Sequence, residues 1–393
     1  MWLQLRRWLI TVLLANMLLF LPALAEMSGE PEPVDYWQQP LSAAWQQYRA
    51  KSMQLLQQDE AALQQELRGG KPLPAPVHKY FGISSIDDEA TAEAVLSYQT
   101  PSGGWSKRTD MQQPREAGQH YGSEPDYVPT FDNDASSMQL HWLADYYPKA
   151  RPAMQPRIQA AIERGVALIL AAQYPNGGFP QSYPLRGGYH DAVTLNDDVM
   201  YQLMQLLWQI AHQPRFSMLA DSTKADAAAA FYRAVDWLLE HQVVVNGKRT
   251  LWGAQHHPLS GEPVAARKFE QVALVSSESA KLLQLMLQHA PDYPGAAQSL
   301  ADAALWLTAH QIENKDRYRD SDGRLSLVDS PGNRIWARFY DINTGEAVFF
   351  DRDGNTYNDV SQLSLERQRG YGWYQSVADE FLQSYSRSAK SSE

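Results

Sequence analysis

Two short stretches of the sequence place aspartate and asparagine side by side. They read TFDNDASS (130–137) and TLNDDVM (194–200), and they supply Asp132, Asn133, Asp134, Asn196, Asp197 and Asp198. Such side chains cap helix N-termini, but a cap needs one of them and three stand together in each stretch. Carboxylate and amide oxygens are also the ligands that Ca²⁺ prefers. We therefore predict that the two stretches form a shared metal or catalytic site.

A second group of candidates lies in the connection from Trp252 to Glu278. Its aromatic, imidazole, amide and charged side chains include Trp252, Gln255, His256, His257, Arg267, Lys268, Phe269 and Glu270. Connections between rigid elements often carry binding and catalytic groups, although a solvated loop with surface charges is the alternative. The adjacent histidines lack the spacing of a zinc site.

Arginines and aromatic residues alternate near the C-terminus. The arginines are Arg334, Arg338, Arg352, Arg367 and Arg369, and Tyr371 and Trp373 are among the rings. A guanidinium group binds carboxylates in a fixed fork, and a ring beside it can stack on a sugar. Ion pairing with nearby acidic residues is the alternative. Together with the acidic stretches, this cluster predicts an anionic sugar as the ligand.

Four helical runs position these candidates. Each run ends in a glutamine followed by a loop, at Gln99, Gln173, Gln242 and Gln311, about 70 residues apart. A fixed period indicates stacked copies of one unit, here a pair of helices. We predict an all-α fold, an (α/α)3 toroid of helix hairpins with irregular loops and few short strands, whose loops meet at one rim. An irregular all-α bundle is the alternative.

The chain divides into four predicted segments. Residues 1–25 resemble a signal peptide, residues 26–74 an N-terminal arm with one helix, residues 75–386 the toroid, and residues 387–393 a disordered tail. The chain has no cysteine and a net charge of −11, which argues against a nucleic-acid partner. We expect a monomer that is exported to the periplasm or secreted, without a membrane anchor after cleavage.

Several motifs, in the same order, resemble the catalytic module of family 10 pectate lyases. They are SYQTPSGGWSKRTD (97–110), TFDNDASS (130–137), AAQYPNGGFPQSYP (171–184), TLNDDVM (194–200), WGAQHHPLSGEPVAARKFE (252–270), RFYDINTGEAVFFDRDG (338–354) and RQRGYGWY (367–374). The resemblance spans residues 79–374, nearly all of the chain after the predicted signal peptide, and implies the toroid fold.

The resemblance implies Ca²⁺-assisted β-elimination in polygalacturonate, with 4,5-unsaturated oligogalacturonides as products. Arg267 matches the family's catalytic base, and Asp132 and Asp197 or Asp198 match its Ca²⁺ ligands, with Asp134 as a further candidate. The arginines that hold substrate carboxylates correspond to Arg338, Arg352 and Arg367 or Arg369. We add Asn133, Asn196, Gln255, His256, Lys268 and Trp373 as substrate-binding candidates. Because a free guanidinium is a poor base, we expect Ca²⁺, Lys268 and desolvation to lower the pKa of Arg267 only in the substrate-filled, Ca²⁺-loaded site. We expect Glu270 to orient Arg267 or Lys268, or to cap the following helix.

Two positions depart from the family pattern. His257 stands where the family commonly has aspartate, and Gln271 begins a segment where it usually has prolines. Three other functions stay open: a glycoside hydrolase with Asp132 and Asp198 as its carboxylate pair, a non-catalytic pectin-fragment-binding protein, and a terpene-cyclase-like toroid. Chelator sensitivity and an ultraviolet-absorbing product would distinguish a lyase from a hydrolase.

Overall fold

The computed structural model describes residues 34–67, 73–77, 88–124 and 129–391. The predicted signal peptide lies outside these ranges. The helices within them are α1 (Ala43–Leu67), α2 (Glu89–Ser97), α3 (Ser137–Tyr146), α4 (Gln155–Ala172), α5 (Val199–His212), α6 (Asp221–His241), α7 (Ser276–His289), α8 (Ala296–Ala309), α9 (Leu365–Gly370) and α10 (Val377–Ser391). The strands are β1 (Val193–Thr194), β2 (Val244–Val245), β3 (Lys248–Arg249), β4 (Gln255–His256), β5 (Pro263–Val264), β6 (Leu274–Val275), β7 (Ile312–Arg319), β8 (Leu325–Ala337), β9 (Phe339–Tyr340), β10 (Ala347–Phe350), β11 (Thr356–Tyr357) and β12 (Tyr374–Gln375).

Three helix pairs form the centre of the molecule. Within each pair the helices pack together, as α3 with α4, α5 with α6 and α7 with α8. Helix α5 also contacts α3 and α7, so the pairs stack in series. Apolar residues at three- and four-residue spacing, such as Met200, Leu203 and Leu207, are fully buried in this core.

The repeated glutamine closes the turn at the end of a helix. Gln173 Nε2 donates to the carbonyl oxygens of Gly177 and Ala230, at 3.0 and 2.8 Å. Gly177 has φ +100°, and a Cβ there would lie 2.1 Å from the Arg233 carbonyl oxygen, so the turn requires glycine. Gln99 and Gln242 make the equivalent pairs of bonds, to Gly103 and Ala161 and to Thr250 and Ser299.

The prediction of an all-α toroid is wrong, because the described part of the chain combines helices with four small sheets. The strand orders are β1-β4-β5, β11-β10-β9-β6, β12-β8-β7 and β2-β3. The longest strands, β7 and β8, form an antiparallel hairpin directly after Gln311. There Gln311 Nε2 bonds to Glu313 of the hairpin rather than closing a short turn.

The hairpin occupies the place that a short turn has in the other repeats. Trp105 Nε1 donates to the carbonyl oxygen of Val95, four residues before Gln99. Trp252 and Trp336 bond in the same way to Leu238 and Leu307, four residues before Gln242 and Gln311. The fourth copy therefore keeps its glutamine and tryptophan positions and has β7 and β8 between them.

The C-terminal segment is helical further than expected. Helix α10 continues to Ser391 and packs against α7 and α8, so residues 387–391 do not form the disordered tail that we predicted. No helix among the described residues has the length and apolar character needed to cross a membrane.

Candidate active site

The two acidic stretches fold as short 3₁₀ turns that pack against each other. Asn133 and Asp134 have φ values of 54° and 63°, and Asp197 and Asp198 have 52° and 64°. Left-handed backbone is costly for L-residues, although asparagine and aspartate tolerate it best. Two consecutive left-handed residues, present in both stretches, are the kind of strain that folded proteins keep at functional sites.

A cavity of about 260 Å³ lies where these turns meet. Its lining residues are Asn133, Asp134, Asp197, Asp198, Ser277, Glu278, Lys281, Arg338 and Gln375. Four of these side chains are carboxylates and two are cations, which leaves two formal negative charges. The cavity therefore has the charge balance that a divalent cation would neutralise.

Arg338 joins the second acidic stretch to helix α7. Its Nη2 donates to Asn196 Oδ1 at 3.0 Å, to Asp197 Oδ1 at 3.2 Å, and to Glu278. Burial lowers the pKa of Arg338, but Glu278 above all, with Asp197, raises it well above its usual value. Arg338 is therefore a fixed positive charge at the edge of the cavity.

One carboxylate oxygen of Asp198 is buried without a hydrogen-bond donor among the described residues. Its Oδ2 accepts from Lys281, whereas its buried Oδ1 has no hydrogen-bond partner among the described residues. Burial and the neighbouring Glu278 raise the pKa of Asp198 to about 6, with Lys281 opposing them. An unpartnered buried carboxylate oxygen fits a hard cation by its chemistry. However, the described carboxylates and imidazoles form no group of three arranged to hold a metal by themselves.

Asp132 occupies a separate position beside the cavity. It is 6% exposed, its Oδ2 accepts from Lys107 Nζ at 2.8 Å, and its Oδ1 accepts from Asn133 Nδ2 at 2.7 Å. Burial raises its pKa, while Lys107 opposes this effect and Asp197 adds to it. Unlike the other three predicted metal ligands, Asp132 does not line the cavity.

Arg267 lies in a tight turn that Glu270 closes. The Arg267 side chain is 40% exposed. Glu270 Oε2 accepts from Arg267 Nε at 2.8 Å, and Glu270 Oε1 accepts from Nη2. Burial lowers the pKa of Arg267, but the hydrogen bonds and charge of Glu270 raise it by more. The structure thus shows Glu270 as the partner that orients Arg267, and a lowered pKa of Arg267 in the substrate-filled, Ca²⁺-loaded site stays a prediction.

A phenylalanine links Arg267 to the other arginines. The Phe269 ring has the guanidinium carbons of Arg352, Arg267 and Arg367 at 4.1, 4.8 and 5.3 Å from its centroid. The Tyr371 ring in turn lies 4.4 Å from Arg367 and 4.7 Å from Arg338. The arginine cluster is therefore continuous with the edge of the acidic cavity.

Several predicted substrate-binding residues support the site from the core. Gln255 and His256 are buried in β4, and both His256 ring nitrogens bond to backbone, to Gly261 O at 2.7 Å and from Gly253 N at 2.9 Å. Trp373 is also fully buried and donates to the Arg367 carbonyl oxygen at 2.9 Å. These side chains do not line the cavity.

The other predicted substrate-binding residues are distributed around the site. Asn133 lines the cavity, and Asn196 supports it through Arg338. Lys268 is exposed beside Gly354. Arg369 lies at the β7–β8 turn, where its Nε donates to the Asp322 carbonyl oxygen at 2.6 Å. The structure therefore brings Arg338, Arg352 and Arg367 together and places Arg369 elsewhere.

Sequence reasoning missed five residues that contact or line this region: Lys107, Ser277, Glu278, Lys281 and Gln375. A signal was present for two of them. Helices α3 and α5 each follow a polar stretch, and the first turn of α7, the equivalent helix of the next repeat, contains Glu278 and continues to Lys281. The repeat therefore contained a third polar stretch at the same rim.

The chain belongs to the pectic acid lyase family, whose model matches residues 99–382. It is a polysaccharide lyase with pectate lyase activity, and the module is that of family 10. This membership confirms the family resemblance of the sequence motifs.

Two similar solved structures support the assignment. A family 10 polysaccharide lyase from Cellvibrio cellulosa is 30% identical, with a TM-score of 0.68 over 76% of this chain and 91% of that chain. A mutant of a family 10 polysaccharide lyase from the same organism, in complex with trigalacturonic acid, is 28% identical, with a TM-score of 0.69 over 78% and 94%. No match was found among the curated proteins.

Proposed function

We propose that this chain cleaves polygalacturonate by Ca²⁺-assisted β-elimination, with Arg267 as the base. The observation that carries the proposal is the acidic cavity beside a continuous arginine cluster. Carboxylates suit a hard cation and guanidinium groups suit uronate carboxylates. The complex of the similar Cellvibrio lyase with trigalacturonic acid supports the same class of ligand.

Asp134, Asp197, Asp198 and Glu278 line the cavity and would bind the Ca²⁺ ion together with the substrate carboxylate, because the four side chains are not arranged to hold a metal by themselves. When bound, Ca²⁺ would neutralise the uronate carboxylate and so stabilise the negative charge that develops when C5 loses its proton. Lys281 and Arg338 keep the carboxylates apart and oriented, through Asp198 and through Asp197 and Glu278 respectively. Asp132 has a supporting role in this proposal, because it is bonded to Lys107.

Arg352 and Arg367 bind substrate carboxylates, and Arg267 removes the C5 proton. The C5–H electron pair then forms the C4–C5 double bond, and the C4–O glycosidic bond breaks with its electrons on oxygen. Protonation of that oxygen completes the elimination. Arg267 Nη1 makes no hydrogen bond to a described residue, so Glu270 leaves this nitrogen available for the substrate.

Proton removal requires a neutral Arg267, which Glu270 disfavours. The substrate-filled site supplies the opposing effect, because neighbouring cations and exclusion of water both lower the pKa of a guanidinium group. Arg352 and Arg367 are the protein cations that share Phe269 with Arg267. Glu270 therefore orients Arg267 in the free protein. When the substrate binds, the neighbouring cations and the exclusion of water must lower the pKa of Arg267 by more than Glu270 raises it.

Arg267→Lys tests the assignment of the base. We expect the turnover number on polygalacturonate with Ca²⁺ to fall by about 100-fold or more, because the proton acceptor loses its position. Arg324 is exposed, and its hydrogen bonds to described residues are made by its backbone. Arg324→Lys therefore serves as the matched control. Near-normal turnover of Arg267→Lys, with an unchanged melting temperature, would exclude Arg267 as the base.

A further inference from the structure

The N-terminal arm (residues 34–67) docks through buried polar contacts, although it lies outside the segment that the family model matches. Tyr48 Oη donates to the Ala172 carbonyl oxygen at 2.9 Å. The backbone nitrogen and hydroxyl of Ser102 donate to Asp59, which is fully buried, at 2.8 and 2.6 Å. Buried hydrogen bonds of this kind are costly to break, so the arm is an integral part of the fold.

One residue of the arm reaches a loop beside the candidate site. Trp37 Nε1 donates to Asp191 Oδ2 at 2.9 Å. Asp191 is 1% exposed, and its Oδ1 accepts from the backbone nitrogens of Arg186 and Gly187 at 3.1 and 2.9 Å. A single buried carboxylate therefore connects the arm to the loop of residues 186–191.

This loop has little intrinsic preference for its conformation. Gly187 and Gly188 have φ values of +84° and +63°, and no atom lies within 4 Å of the position that a Cβ would take at either one. Glycine adopts many backbone conformations, so contacts with the rest of the protein are needed to hold these two in the observed one. The hydrogen bonds of Asp191 are thus among the contacts that hold the backbone of Arg186 and Gly187.

The same loop lies close to Asp132 and Arg267. The Gln181 backbone nitrogen donates to the His190 carbonyl oxygen at 3.0 Å, and the Gln181 carbonyl oxygen accepts from Phe131, which directly precedes Asp132, at 2.9 Å. Burial, with smaller contributions from Lys107 and Arg267, lowers the pKa of His190 to about 4. His190 therefore lies within electrostatic range of Arg267.

We infer that Trp37 is a positioning residue, which through Asp191 holds the 186–191 loop as one wall of the substrate cleft beside Arg267. The kinetic consequence rests on the proposed function, whereas the coupling between arm and loop does not. The arm also contacts one of the departures from the family pattern, since the Tyr36 ring lies 5.0 Å from His257 in an edge-on geometry.

Trp37→Phe tests the coupling, because it keeps a ring and removes the Nε1 donor. We expect amide hydrogen exchange of residues 186–191, measured by mass spectrometry, to accelerate about tenfold as the buried carboxylate loses a hydrogen bond. Trp45→Phe is the matched control: its ring lies 5.8 Å from that of Trp37, and its Nε1 makes no hydrogen bond to a described residue. Equal exchange in the two variants would overturn the inference.

Asp191→Asn provides a second variant, because it replaces one acceptor oxygen with a donor group. Its loop should exchange faster, and the double variant with Trp37→Phe should exchange no faster than Asp191→Asn alone. If the effects of the two substitutions on the exchange rate were additive, Trp37 and Asp191 would not act on the loop through the same hydrogen bond. On oligogalacturonates, Trp37→Phe should raise KM about fivefold with a smaller change in kcat, whereas Trp45→Phe should not. If wild-type protein yields no unsaturated product, the proposed function fails while the exchange results still decide the coupling.

Discussion

Three carboxylates from two distant stretches, those of Asp134, Asp197 and Asp198, line one cavity because each stretch contains consecutive left-handed residues. The sequence predicted the residue types and their proximity. It could not predict that Asp132 turns to Lys107 instead, because the orientation of each side chain depends on the backbone dihedral angles. The unpaired oxygen of Asp198 likewise becomes visible only in three dimensions.

Because the pKa of Asp198 is raised, we predict that the affinity of the site for Ca²⁺ depends on pH. A proton and Ca²⁺ compete for the same carboxylate, and the pKa is about 6. The affinity for Ca²⁺ is therefore high above pH 6 and decreases below pH 6 as Asp198 becomes protonated. We expect the apparent Ca²⁺ affinity, measured by calorimetric titration without substrate, to fall about tenfold between pH 7 and pH 5.

Asp198→Asn is the control for this titration, because asparagine also tolerates left-handed backbone. It should bind Ca²⁺ more weakly at pH 7 and lose the pH dependence that Asp198 causes. A wild-type affinity that stays constant from pH 7 to pH 5 would contradict the assignment of Asp198 as a ligand.

Glu270 provides a test of how Arg267 is tuned. Glu270→Gln removes the negative charge that raises the pKa of Arg267, so the neutral form becomes accessible at lower pH. We expect the rise of kcat with pH to begin at least about one pH unit lower in the variant, while the maximum rate falls because the side chain is held less firmly. A uniform loss of activity with an unchanged pH profile would show that Glu270 only orients Arg267.

At the level of elements, the β7–β8 hairpin braces the loop that carries the arginine cluster. Arg319 of β7 donates to the carbonyl oxygens of Gln368 and, at 3.0 Å, of Tyr371. Arg317 reaches the carbonyl oxygen of Tyr374 at 2.8 Å. The segment from Arg367 to Tyr374 thus depends on an element that the sequence repeat did not include.

Arg319→Ala should therefore impair activity without contact between Arg319 and the cavity. We expect kcat/KM on polygalacturonate to fall about five- to tenfold, with little change in melting temperature, because the carbonyl groups of the loop lose two charged donors. Arg324→Ala, in the same hairpin, is the control and should match wild type. Equal activity of both variants would show that the hairpin does not support the site.

The sequence pattern predicted the helices better than the strands. Helix α5 buries Met200, Leu203 and Leu207 at helical spacing, which is easily recognised. By contrast, β1, β4, β5 and β6 are two residues long, too short for any alternation to be visible. Strand β7 reads IENKDRYR and is mostly solvent-accessible, so its composition suggested a polar loop.

For the whole molecule, the repeat period predicted stacked helix pairs, and the family motifs predicted a polysaccharide lyase; the comparisons confirm the latter. The all-α toroid was wrong because the fourth copy opens into a hairpin between Gln311 and Trp336. The sequence period does not reveal such an insertion, since Gln311 and Trp336 on either side of the hairpin keep the positions that Gln99 and Trp105 have in the first copy. The docking of the arm through Trp37 also depends on contacts between distant residues.

Ca²⁺-assisted β-elimination can be tested directly by ultraviolet absorbance. The purified protein is incubated with polygalacturonate, once with added Ca²⁺ and once with excess chelator. We expect absorbance of the 4,5-unsaturated product to rise with Ca²⁺, and chelator to lower the rate of product formation about 100-fold or more. Cleavage that produces reducing ends without the absorbing product, or full activity in chelator, would contradict Ca²⁺-assisted β-elimination.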